Sequence, residues 1–106
     1  MDDKKYWIGF NLIKGIGAVR MQALIQYFGD LEVAWKSAPA ELAQAGLGRK
    51  LIERVVQARE GVDLEKLWEK IEKQGINILT WQDESYPQRL KEIDQPPPVL
   101  YVRGEY

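Results

Sequence analysis

The chain has 106 residues, no cysteine, no histidine and a net charge of −1. That excludes disulfides and thiolate metal sites, and it removes the commonest general base and metal ligand. With 45% hydrophobic and 29% charged residues the profile is that of a soluble globular protein, one compact domain or a small domain plus part of a second.

The opening, "MDDKKYWIGFNLI", predicts a first helix capped by Asp2-Asp3 and loaded with Tyr6, Trp7, Phe10 and Leu12. Gly9 inside it marks a close helix contact. Gly15 and Gly17 break the pattern. A second helix follows, with Met21, Leu24, Ile25 and Phe28 at i, i+3, i+4, i+7. Gly29 reads as its C-terminal stop and Asp30 as the next N-cap. "LEVAWKS" is a short third helix. Ser37 and Pro39 open a fourth, "PAELAQA", stopped by Gly46.

"GLGRKLIERVVQARE" then repeats the opening logic. Gly46-Leu47-Gly48 precedes a helix with Leu51, Ile52, Val55 and Val56 on one face. Aligned on their glycines, this stretch and "GIGAVRMQALIQYF" form an internal duplication of a small motif. After Gly61, Asp63 caps a sixth helix that turns Leu64, Leu67, Trp68 and Ile71 inward and a Glu/Lys-rich face outward. At Ile76 the character changes. "INILTW" is a strand, "DESYPQRLKEI" a turn and short helix, "QPPP" a stiff extended lead, and "VLYVRG" a second strand. Strand-helix-strand reads as the start of a parallel α/β unit. Two strands do not make a stable parallel sheet, so the segment is either cut short or an appendage packed on the helices. The expectation is a mainly α fold: a helical domain at 1–75 and an incomplete α/β segment at 76–106.

The paired Gly-hydrophobe-Gly loops resemble the helix-hairpin-helix motif. Glycine permits the turn, and the central Ile16 or Leu47 pins the loop to the core. The next helix starts at once, so its first amides are unpaired and partly positive, a ready site for a phosphate. The candidate DNA contacts are Lys14, Gly15, Ile16, Gly17 and Arg20 in the first loop, and Gly46, Gly48, Arg49 and Lys50 in the second. Lys14 stands where that motif often has proline, trading rigidity for charge. Residues 1–61 carry nine Lys/Arg against seven Asp/Glu, a net +2, and 62–106 carry six against nine, a net −3. Phosphate contact therefore belongs to the first part. Gly-x-Gly also suits any helix-helix corner, and such folds also serve as protein-interaction modules. Trp7, Trp35 and Trp68 sit at apolar helical positions and read as core. Asp83, Glu84, Glu92 and Asp94 read as solvated loop, so no catalytic residue, metal or cofactor is expected.

"YWIGFNLIKGIGAVRMQALIQYFGDLEVAWKSAPAEL", "GLGRKLIERV" and "INILTWQDESYPQRLKEIDQPPPVLYVRG" together resemble the N-terminal region of the DNA-processing protein A (DprA/Smf) family. Asp83, Tyr86 and Pro87 carry its aspartate-x-x-tyrosine-proline element, and Pro97 to Gly104 its "PPVLYVRG". The resemblance implies a SAM-like or helix-hairpin-helix domain followed by a Rossmann-like domain. It implies binding of single-stranded DNA, loading of a RecA-type recombinase during natural transformation, and a homodimer made through the Rossmann-like domain. It implies no turnover chemistry. The family's Gly-Ser-Arg loop and basic DNA pocket lie beyond "LYVRGEY", so no residue here inherits them. The glycine loops are then accessory DNA contacts. The alternative is a module that binds a regulator or recombination partner through a helical face, without DNA. A helix-hairpin-helix module from a repair enzyme leaves the Asp83-to-Gly104 block without a reason. No apolar run approaches the ~20 residues of a membrane span and no signal peptide is visible, so a cytoplasmic protein is expected.

Overall fold

A computed structural model describes residues 4–103; the Asp2-Asp3 cap and Gly104 lie outside the described residues. Six helices come first: α1 (Lys4–Asn11), α2 (Ala18–Phe28), α3 (Leu31–Trp35), α4 (Pro39–Gln44), α5 (Arg49–Gly61) and α6 (Leu64–Lys73). β1 (Ile76–Thr80), α7 (Gln88–Lys91) and β2 (Val99–Arg103) follow. The fold is mainly helical with one small sheet.

Apolar spacing builds the core as the sequence predicts. Met21 and Leu24 of α2, Val55 of α5 and Ile71 of α6 are buried, with Ile25, Phe28, Leu51 and Trp68 packed around them. Phe10 meets Trp35 edge-on, with ring centres 5.0 Å apart. A Cβ on Gly9 would lie 3.0 Å from both Leu64 and Trp35, so this glycine is where α1 presses against α3 and α6. Asp30 and Asp63 cap α3 and α6, accepting from the amides of Val33 and Lys66. The Gly29 amide closes α2 on the Ile25 carbonyl.

Three local expectations change. The first helix stops at Asn11 instead of continuing through Ile13. The Ile13 amide tightens onto the Phe10 carbonyl, which turns Ile13 inward and leaves Leu12 56% exposed. Leu12 is therefore surface, not core. The N-cap of α4 is Ala38, with Pro39 in the first turn. The Ser37 hydroxyl instead donates back to the Ala34 carbonyl, where Arg59 also donates, closing the end of α3.

The sheet needs a larger correction. β1 and β2 are antiparallel, in register from Ile76↔Arg103 to Thr80↔Val99. A parallel crossover needs a helix-length return across the sheet. Between the strands α7 spans only Gln88–Lys91. The buried Tyr86 hydroxyl donates to the Pro97 carbonyl at 2.6 Å and folds the connection back on itself. "QPPP" then leads β2 in from the opposite end. One face of the sheet packs on the helices, and Ile78 and Val99 join the same core as Trp7 and Phe10.

Candidate nucleic-acid interface

The two glycine loops make the same turn at their first glycine. Gly15 has φ +101° and Gly46 φ +103°, both in the region that disfavours a side chain. Ile16 and Leu47 are buried, 4% and 5% exposed, and pin each loop to the core. Gly17 and Gly48 are extended N-caps of α2 and α5. The duplication seen in the sequence is thus a structural one, with α1/α2 and α4/α5 as its two hairpins.

The helix starts are unlike those of α3 and α6. Those two have an aspartate cap and an acidic residue in the first turn. α2 and α5 have a glycine cap, no side-chain cap bond and no acid in the first turn. Instead they carry Arg20, and Arg49 with Lys50, exposed. Cations at a helix N-terminus oppose the macrodipole, at about 0.3–1 kcal/mol each at the surface. An anion bound at the free amides would offset that cost. Arg49 faces Glu53 at 3.9 Å with its side chain 94% exposed, a pair too long and too solvated to hold it.

The structure places these residues unevenly. The first loop lies against α5: a Cβ on Gly15 would be 2.6 Å from Leu51 Cδ2 and 3.0 Å from Arg54 Nη1. That brings Lys14 and Gly15 beside the helix start that carries Arg49 and Lys50. Arg20 stands on the first turn of α2, exposed. Around Gly17, Gly46 and Gly48 there is open space for an added Cβ, so both loops are open to solvent. Arg54 was not among the residues that the pattern singled out. It donates to the Lys14 carbonyl at 2.9 Å. Its signal is its position four residues after Lys50, on the same helix face.

The Asp83-x-x-Tyr86-Pro87 element has a structural job. Asp83 accepts from the Thr80 amide at 2.7 Å and from the Thr80 hydroxyl at 3.2 Å. It also pairs with Lys4 at 3.0 Å. Burial pushes its carboxyl up, but the Thr80 amide, Lys4 and the Thr80 hydroxyl outweigh that and hold it below its ordinary value. Pro87 starts α7. Trp81 stacks edge-on against Trp7 at 5.8 Å, which makes it a core partner. Among the described residues no three acidic side chains converge on a metal position, and no helix is long and apolar enough to cross a membrane.

Comparison with known proteins bears on the whole chain. A family model described as DNA recombination-mediator protein A matches residues 77–106. The protein Smf of Synechocystis sp. is 37% identical over 103 residues, covering 96% of this chain and 26% of its own length. The chain thus spans about a quarter of that curated relative. No solved structure matches it. A family model over the sheet segment, and identity running from the helices into β2, establish that the chain belongs to the DprA/Smf family of DNA-processing proteins.

Proposed function

We propose that this chain is the N-terminal part of a protein that binds single-stranded DNA and helps load a RecA-type recombinase onto it. Within that protein the two glycine loops make accessory, sequence-independent phosphate contacts. The observation that carries the reading is the charge at the two hairpin helices. Both begin with glycine caps, without acids, and with exposed arginine or lysine where the dipole disfavours a cation. A phosphate backbone satisfies amides and cations together. The residues engaged are Lys14, Gly15, Ile16, Gly17 and Arg20, then Gly46, Gly48, Arg49 and Lys50, with the glycines and Ile16 contributing backbone and shape. The division at residue 75, the SAM-like and Rossmann-like character of the two parts and the cytoplasmic setting belong to the same proposal.

A salt titration tests it. With about four cations engaged, log affinity for a single-stranded oligonucleotide should fall with a slope near −3 against log salt. Changing Lys14, Arg20, Arg49 and Lys50 together to alanine should flatten that slope while the far-ultraviolet spectrum stays the same. No binding at low salt by the unaltered chain would end the phosphate-contact reading.

A second reading rests on a different surface. Val33 is exposed beside the half-buried Phe28, along a groove that Ala38 also lines, and the exposed Tyr27 meets Phe28 edge-on at 4.8 Å. Apolar exposure of this kind favours a helical face that binds a regulator or recombination partner without DNA. The quadruple alanine variant would leave such binding intact.

A further inference from the structure

β1 is paired on one side only among the described residues. The alternation of an antiparallel pair fixes which of its groups face away from β2. The Thr80 amide goes to Asp83 at 2.7 Å, so Thr80 turns its backbone polar groups outward. Ile78, two residues back, does the same, and its carbonyl accepts from Lys4 Nζ at 2.9 Å. Lys4 and Asp83 are themselves joined at 3.0 Å. A side-chain donor thus sits on the outward carbonyl and a side-chain acceptor on the outward amide. A third strand would place its own amide and carbonyl at those two points. Beside this edge lies a cleft of about 480 Å³ lined by Ile76 and Ile78 of the strand and by Trp7 and Trp68.

We propose that Lys4 and Asp83 together guard the edge of β1 that faces away from β2, and that the pairing they prevent is with β1 of a second copy of this chain. The strand reads "INILT", with no charge, no proline and no glycine. Those are the devices that normally blunt an edge, and here they are missing from the strand itself. The outward positions Ile76, Ile78 and Thr80 are also self-complementary. In a two-fold antiparallel pair, Ile78 meets Ile78 and Ile76 meets Thr80, so one contact closes on itself. A lysine and an aspartate from outside the strand supply the protection that its own residues lack.

The test is sedimentation equilibrium of the 106-residue chain over a range of concentrations. The double variant Lys4→Ala/Asp83→Ala should approach twice the monomer mass as concentration rises, with the unaltered chain remaining less associated. Hydrogen exchange should show the Thr80 amide unprotected in the dilute double variant and protected again in the concentrated one. Lys5→Ala/Glu65→Ala, which removes another ion pair made by α1, should not associate. Should the double variant lose its fold, Lys4→Met is measured in its place. It keeps the aliphatic stem and the Asp83 turn, removes only the donor, and should shift mass in the same direction. A folded double variant, or a folded Lys4→Met, whose mass and Thr80 exchange do not change with concentration overturns the proposal. Association of the control pair does so as well.

Discussion

The Arg54 guanidinium donates to the Lys14 carbonyl at 2.9 Å across 40 residues of sequence. The second hairpin helix thereby holds the loop of the first. The two copies of one small motif are joined again by the Tyr27 hydroxyl of α2, bonded to Glu41 and Gln44 of α4, but the Arg54 bond is the one that sits among the cations proposed to meet phosphate.

Arg54→Ala should therefore act on the loop more than on the fold. The bond is near the surface, so the cost in stability should be about 0.5–1 kcal/mol. Amide exchange at residues 14–17 should accelerate beyond what that cost explains. Oligonucleotide affinity should fall further than in Arg54→Lys, which keeps the charge but lacks the planar fork.

The two hairpin glycines should separate when each becomes alanine. Both pay for a positive φ, about 1–2 kcal/mol. Gly46 has open space for the new methyl, whereas at Gly15 it would lie 2.6 Å from Leu51 Cδ2. Gly15→Ala should lose about 1–3 kcal/mol more than Gly46→Ala, from overpacking. Equal losses in chemical denaturation would mean that Leu51 yields freely.

Asp83 carries a pH signature. Its folded carboxyl is held below its ordinary value. Its stabilisation is therefore fully present above the unfolded pKa and is lost as pH falls through the folded one. Asp83→Asn should cost about 1–2 kcal/mol at neutral pH, scaled down for partial exposure of the pair. That gap to the unaltered chain should close in strong acid. Glu72 lines the same cleft as Lys4 and Asp83 and is present in both proteins, so the comparison isolates Asp83. A gap independent of pH would show that Asp83 acts by shape alone.

Tyr86→Phe removes the bond to the Pro97 carbonyl and keeps the buried ring. A loss of about 1 kcal/mol is expected, with faster exchange in β2 than in α2 or α5. Uniform acceleration throughout the chain would show that this bond supports the whole fold rather than the return of the last strand.

Much of this was legible in the sequence because it rests on local rules. Gly29 and Asp30 mark a helix end and start that depend on a few adjacent residues. The apolar spacing of Met21, Leu24, Ile25 and Phe28 declares its buried face. The echo of Gly15-Ile16-Gly17 at Gly46-Leu47-Gly48 foretold matched loops, and Gly15 and Gly46 share the same positive φ. The sheet direction was not legible, because it depends on a hydroxyl at Tyr86 meeting a carbonyl at Pro97. Nothing in a period of two or of 3.6 encodes that meeting. Leu12 misled for a similar reason: one tightened turn after Phe10 changes which of two adjacent apolar residues faces the core. Arg54 escaped notice because a charged side chain on a helix face usually belongs to water, and its partner is a backbone atom far off in sequence.

The packing of α1 has a consequence for how the chain comes to be folded. Lys4 bonds to Ile78, 74 residues later, and Trp7 and Phe10 share a core with Val99. During synthesis α1 leaves the ribosome long before either strand. Part of its aromatic face must wait, with α3 and α6 already packed on it, until β2 has been made. Loop-closure entropy makes such distant contacts slow to form. The interval between α6 and β2 therefore leaves open the side of α1 that the sheet later covers, Trp7 included, and a holding chaperone would find it there.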